Sequence, residues 1–341
     1  MLQPSFFDTD ERLRKLDQLG DPLKAINEVV DWSVFHPILR KGLKKSRKSN
    51  AGRPPYEALL MFKLVILQSL YTLSDEQTEY QVRDRLSFQR FVGLEPESRV
   101  PDAKTLWLFK ESLKKERLDE KLFGAFGDYL EQLGLHAQHG TVVDARIVQV
   151  PRQRNSRDEN LTIKDKLVPS DWLEKPHKLA QKDTDARWTK KRNQNYYGYK
   201  NHIGVDVKHK FIRTYTVTSA EVHDSQEFEA LLDKRNSKRT VYADSAYRSE
   251  EAEKMLREKG YISRVHHRAW RGHPLNGLQE RWNKARSKVR ARVEHVFGYQ
   301  VQAMKQTMVR GIGLERIRLK LGIANLAYNM KRLTLWQVES A

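Results

Sequence analysis

Residues 141–148 read Thr-Val-Val-Asp-Ala-Arg-Ile-Val, and the character of the chain changes there. β-Branched residues crowd the octapeptide, side chains alternate around Asp144, and Gly140 stands just before it, so a β-strand is predicted. A carboxylate inside an apolar strand is costly unless it is paired or functional. The plain reading of Asp144 is a half-exposed strand position; the sharper one is a ligand. Downstream, strands are predicted at 199–207 and 211–218, with Lys208-His209-Lys210 as their turn. A helix at 225–234, a strand at 239–243 ending on Asp244, a helix at 249–259 and a strand at 261–266 follow. Helices at 278–297 and 314–333 complete the order. Successive strands predict an antiparallel meander, and the later alternation with helices predicts parallel additions. Residues 151–195 are polar and aperiodic and read as an insertion or mobile loop.

Upstream, the hydrophobic period becomes helical. A helix is expected around Leu23–Phe35. Arg53-Pro54-Pro55 opens the apolar helix 56–71, Ser74 and Gln77 form a capping-box pair, and Asp102 caps a helix to about Lys115. Residues 118–133 give another. The organisation expected is therefore an all-α region 1–135 for DNA binding or oligomerisation, an α/β domain 136–300, and a basic helical segment 301–341.

The 341 residues include no cysteine, which excludes a disulfide scaffold, a thiol nucleophile and thiolate metal sites. No apolar run approaches the roughly 20 residues of a membrane span, and the first residues lack a signal-peptide pattern. A cytoplasmic protein without membrane contact is expected. Lys and Arg number 63 against 44 Asp and Glu, a net charge of +19. Residues 264–332 alone carry 16 basic and three acidic residues. Residues 40–53 hold seven basic residues and no acid. Such a surface points to a polyanion, and nucleic acid is the common one. Arg286, Arg290, Arg292 and Lys305 in the first block, with Lys44 and Lys45 in the second, are the candidate phosphate contacts.

Cleaving a phosphodiester places electron-rich oxygens together, which two Mg2+ ions held by carboxylates relieve. Asp144, Asp244 and Glu294 answer that demand. Asp244 ends a strand, where α/β sheets place ligands, or else is an ordinary cap. Glu294 lies beside the apolar stripe Val289, Val293 and Val296; alone it reads as an Arg290–Glu294 surface pair. Asp206 reads as a strand-face ion pair near Lys200 and His202, and His223-Asp224-Ser225 as a helix cap with Asp224 or Ser225 capping. His266, His267 and His273 lack metal spacing. Trp188, Trp270 and Trp282 read as core or loop packing in preference to base stacking. Gly311-x-Gly313 is too short for a phosphate loop, so no nucleotide cofactor is expected.

The element order matches the ribonuclease-H-like fold, a mixed sheet flanked by helices. TVVDARIV around Asp144, YYGYKNHIGVD from Tyr196, HDS from His223, VYADSAYRS around Asp244 and RARVEHVFG around Glu294 resemble the DDE transposases of bacterial insertion sequences, specifically the insertion-sequence-five type. RPPYEALLMFKLVILQ and PDAKTLWLFKESL resemble the family's helical N-terminal region. The spacings, 100 residues from Asp144 to Asp244 and 50 to Glu294, accord with it. The resemblance implies a ribonuclease-H-like catalytic domain in which Asp144, Asp244 and Glu294 hold two Mg2+ or Mn2+ ions. It implies double-stranded DNA as partner: water attacks at the inverted-repeat ends, and the freed 3′-hydroxyl attacks target DNA. A homodimer or larger synaptic complex, at the bacterial nucleoid, is implied in turn. Of the related Tyr-x2-Arg-x3-Glu-x6-Lys signature, Arg290 and Glu294 match. Ser287 and Val301 stand at the Tyr and Lys positions, and Lys305 is the nearest later lysine. A structure-selective nuclease or resolvase, and a catalytically silent DNA-binding repressor, are the alternatives.

Overall fold

Local punctuation decides where the first helices begin and end. The computed structural model describes residues 8–43, 54–191 and 193–340; Lys44 and Lys45 lie outside them. One unit takes in the chain up to Tyr129 together with the residues from Gly322, and the other is Leu130–Leu321. The first contains α1 (Asp8–Gln18), α2 (Pro22–Val29), α3 (His36–Gly42), α4 (Ala58–Tyr71), α5 (Asp75–Asp84), α6 (Leu86–Val92), α7 (Ala103–Lys115) and most of α8 (Leu118–Gln132). Ser74 and Gln77 cap α5 reciprocally, and Asp102 Oδ1 accepts from Thr105 N at 2.6 Å.

The single helix expected over 23–35 is broken. Asp31 accepts from Ser33 N at 2.9 Å, which ends α2 and starts a 3₁₀ turn at Trp32–Phe35. Pro37, without an N–H, then sits in the first turn of α3. The break brings the Trp32 ring against Phe62 and Phe91, at 6.4 and 5.6 Å between centroids. Among the described residues no single helix is long and apolar enough to cross a membrane; α4 and α5 meet that test only together, bent by 102°.

The second unit is built on β1 (Thr141–Gln149), followed by α9 (Arg157–Lys164), α10 (Ser170–Leu173), α11 (Pro176–Leu179), β2 (Arg187–Lys191), β3 (Gln194–Asp206) and β4 (Ile212–Ser219). Then come β5 (Thr240–Tyr242), α12 (Glu250–Glu258), β6 (Ile262–Ser263), α13 (Gly277–Gln302) and α14 (Leu314–Ser340), whose residues from 322 belong to the first unit. The six-stranded sheet runs β2-β3-β1-β5-β6, with β4 also on β3. β1, β3 and β4 form the antiparallel meander, and β5 and β6 are added parallel, as the sequence predicts. The fold is the mixed sheet with flanking helices expected for the ribonuclease-H-like class.

Three local expectations need correction. Residues 151–195 form three short helices and β2. Ser156 and Glu159 cap α9 reciprocally, and the fully buried Trp172 donates to Glu159 at 2.6 Å. The polar run that looks aperiodic is a set of short capped turns stapled by one aromatic. The helix expected at 225–234 is instead two 3₁₀ turns, Asp224–Glu227 and Glu229–Leu231, which bury Phe228 and Leu231 under the sheet. The strand expected at 261–266 shortens to β6, although Arg264 N and His266 N still donate to Val241 and Ala243.

Candidate active site

Strand register places the two aspartates. Gly140 enters β1 with φ +101°, and a Cβ there would fall 2.5 Å from the Thr240 carbonyl oxygen. Only glycine allows that approach. Gly140 N donates to Asn236 Oδ1 at 3.0 Å, and Asn236 Nδ2 donates back to the Gly140 carbonyl at 2.8 Å. β1 and β5 then run parallel with Thr141 beside Val241 and Val142 beside Tyr242. Carried on by two residues, that register sets Asp144 level with Asp244, and the Asp244 charge is felt at Asp144. Side chains alternate along a strand. Val143, Val241 and Ala243 pack with Phe228 and Tyr247 on one face, so Asp144 and Asp244 belong to the other.

α13 covers that second face. Arg290 Nη2 donates to Asp144 Oδ2 at 3.1 Å, and each side chain is only 15% exposed. Asp144 Oδ1 accepts from Ala145 N at 2.9 Å. Asp244 Oδ1 accepts from Ala246 N at 2.8 Å, capping the 3₁₀ turn Ser245–Tyr247. Burial pushes the Asp144 carboxyl above its ordinary range; Arg290 draws it back, and the Asp244 charge adds to the rise. Burial likewise raises the Tyr247 hydroxyl, with Asp144, Asp224 and Asp244 adding to it. His266 is lowered by burial first and then by Arg290 and Arg286. Two carboxylates held level, one of them buried, call for a cation, and hard oxygens suit a divalent one.

Glu294 lies one helical turn beyond Arg290, on the flank where the buried stripe of Val293 and Val296 gives way to solvent. It is exposed, and Arg290 is committed to Asp144 rather than to Glu294. Among the described residues no group of three or more His, Asp or Glu side chains is gathered closely enough to hold a metal ion. The structure thus brings together Asp144, Asp244 and Arg290, and leaves Glu294 at the rim. Arg286 is 9% exposed and donates to the Val265 carbonyl at 2.6 Å, with its guanidinium 5.8 Å from the Trp282 ring. It braces α13 against the chain after β6. Arg292 is half-buried, and Lys305 is exposed with φ +51° in the loop after α13.

The other residues that the sequence singles out also have definite places. Asp206 is wholly buried and accepts from His209 N, Phe211 N and Arg213 Nε, holding the β3–β4 turn. Lys200 pairs with Asp224 at 2.8 Å, so Asp224 is not the cap; the ring of His223 caps the turn, accepting from Ser225 N. His202 is buried, bonds Thr218 Oγ1 at 2.8 Å, and is lowered to about 4, mainly by burial. Trp188, Trp270 and Trp282 are all substantially exposed, so none lies in the core, and each packs locally, with ring centroids 5.2, 5.4 and 5.5 Å from those of Tyr197, His273 and His267. Sequence reasoning passed over Tyr247 and Arg146. The latter stands two residues from Asp144, and strand alternation alone marks it as sharing that face.

Residues 136–330 match the family model described as Transposase DDE domain, and residues 11–112 match Transposase domain (DUF772). Among solved structures the chain is similar to the piggyBac transposase synaptic complex with hairpin DNA, determined by cryo-EM. The two share 14% identity over 93% of this chain and 73% of that one, with a TM-score of 0.44.

Proposed function

We propose, for a chain that belongs to the transposase DDE-domain family and is a DNA transposase, that Asp144, Asp244 and Glu294 are its catalytic carboxylates. The enzyme binds DNA, cleaves it and transfers strands, and it depends on divalent metal. The observation that carries the assignment is the aspartate pair, level on one face of the sheet and partly neutralised by a guanidinium from α13. Mg2+ or Mn2+, two per site in this reading, supplies positive charge to the reacting oxygens. Asp144 and Asp244 form the fixed floor of that site, and Glu294 completes it from the rim. Arg290 balances Asp144 in the free chain and turns to a DNA phosphate in the complex. Arg292 and Lys305 contact phosphates further along. Arg286 keeps its bond to Val265 and braces the helix.

Residues 1–135 serve DNA binding or oligomerisation in this reading, 136–300 catalysis, and the basic 301–341 segment adds phosphate contacts. The substrates are the inverted-repeat ends of an insertion-sequence-five type element and the target DNA, joined through the 3′-hydroxyl. Two ends must meet, so a homodimer or larger synaptic complex forms, working at the nucleoid in the bacterial cytoplasm. The test uses a duplex bearing the inverted repeats that flank the gene. With Mg2+, Asp144→Asn, Asp244→Asn and Glu294→Gln each abolish cleavage and leave binding intact. If all three variants still cleave, the reading is wrong. A precleaved 3′-hydroxyl end mixed with plasmid separates a transposase, which joins them, from a nuclease, which does not.

A further inference from the structure

Arg146 follows Asp144 on the same face of β1, roughly 7 Å along the strand. Its guanidinium lies 5.9 Å from the Phe297 ring of α13, and its Nη1 donates to the Gln306 carbonyl at 2.9 Å. Among the described residues its Nε and Nη2 meet no acceptor. Both of those atoms are buried. A guanidinium has five donors; this one spends a single bond on a loop carbonyl and leaves its charge unmatched. A buried charge kept without a counter-ion is strongly unfavourable. A structural clamp on Gln306 would need only one neutral donor. The loop that Arg146 grips carries the exposed Lys305 and runs on to Val309, whose N–H donates to the Gln149 carbonyl at 2.9 Å. A cationic position therefore lies beside the carboxylate pair, about one nucleotide away along the strand.

We propose that Arg146 binds a backbone phosphate of the DNA strand that crosses Asp144 and Asp244, so that the phosphodiester oxyanion supplies the counter-charge the protein lacks. The Gln306 carbonyl holds the guanidinium in place until the phosphate arrives, and the Nε and Nη2 donors offer the two-pronged geometry that phosphate accepts. The inference rests on the transposase reading of the site.

The experiment measures binding of the full chain to a 30-base-pair DNA duplex over a salt series without divalent metal. Arg146→Gln keeps a donor for the Gln306 carbonyl and removes the charge. Its affinity falls about tenfold, and the slope of log affinity against log salt drops by about one, the signature of one lost phosphate contact. Arg146→Lys retains the slope. A well-folded Arg146→Gln variant with the wild-type slope overturns the proposal. Should that variant not fold, the Arg146 Nε–H resonance of the wild type, assigned by its absence in Arg146→Lys, decides the matter. It shifts on adding the duplex if Arg146 meets phosphate; a resonance that stays in place while the duplex binds overturns the proposal. Failure of the wild-type chain to bind any duplex counts against the transposase reading instead.

Discussion

The floor of the candidate site and its rim are held by different forces. Asp144 and Asp244 are fixed by backbone: a parallel register begun at Gly140, and an N–H bond to each side chain. Glu294 is fixed only by its position on α13, one turn from an arginine that has already chosen Asp144. The floor is therefore formed before any ligand binds, whereas on the proposed reading the rim would take its final place with metal and DNA. In such a site the sheet secures geometry and the helix supplies adjustment.

The largest effects should come from the carboxylates themselves. Asp144→Asn and Asp244→Asn each lower the cleavage rate by at least ~10³-fold in a gel assay with Mg2+. Glu294→Gln does the same, while in the free protein it leaves thermal stability within about 0.5 kcal/mol, as expected of an exposed side chain. A fully active Glu294→Gln would remove the rim from the site and leave the floor alone. Next comes the register. Gly140→Val forces a β-branched residue to φ +101° against the Thr240 carbonyl, and denaturant titration should show a loss of about 3 kcal/mol. Activity should fall further than stability explains, because Asp144 and Asp244 no longer come level.

The pH response of the sheet is the third test. His202, fully buried beside β1, is held neutral with its pKa lowered to about 4, against 6.5 when unfolded. Between those values the unfolded chain takes up the proton and the native one does not. Stability is thus complete above about pH 6.5 and is lost as pH falls toward 4, by roughly 3 kcal/mol in all. His202→Gln should flatten that slope in urea titrations across the window. The smallest effect is local to the 151–195 segment. Glu159 is lowered to about 2 by its bond to Lys178, then by Ser156 N and Trp172. Its contribution is present above about pH 4.5 and lost as pH falls through 2. Trp172 fluorescence should report this loosening, and Glu159→Gln should already show part of it at neutral pH.

Much of this arrangement was legible in the residues. Asp144 and Asp244 stood out because a strand has only two faces and its ends are few. The Ser74 and Asp102 caps were readable because capping is a contact across three residues. The turns at 224–231 were not, because a 3₁₀ turn and a short helix carry the same polar start, and only the burial of Phe228 against Tyr247 at 5.1 Å selects between them. Asp31, which breaks the helix expected over 23–35, is a cap hidden inside a helical period. The choice of Arg290 between Glu294 and Asp144 was not readable either. The local partner is four residues away and the actual one is 146 away. Lys200 and Asp224, neighbours only through folding, escaped for the same reason.

The capping of Asp244 and the matching bond from Ala145 N to Asp144 also bear on which ion the floor selects. Each carboxylate has its Oδ1 engaged by a backbone N–H, and Asp144 Oδ2 accepts from Arg290. In the proposed metal site each aspartate would then offer one oxygen to an ion. Ca2+ favours high coordination numbers with carboxylates biting through both oxygens; Mg2+ takes six ligands at short range, one oxygen from each group. On the proposed reading, the backbone amides of Ala145 and Ala246 would thus tune the denticity of the floor toward the smaller ion.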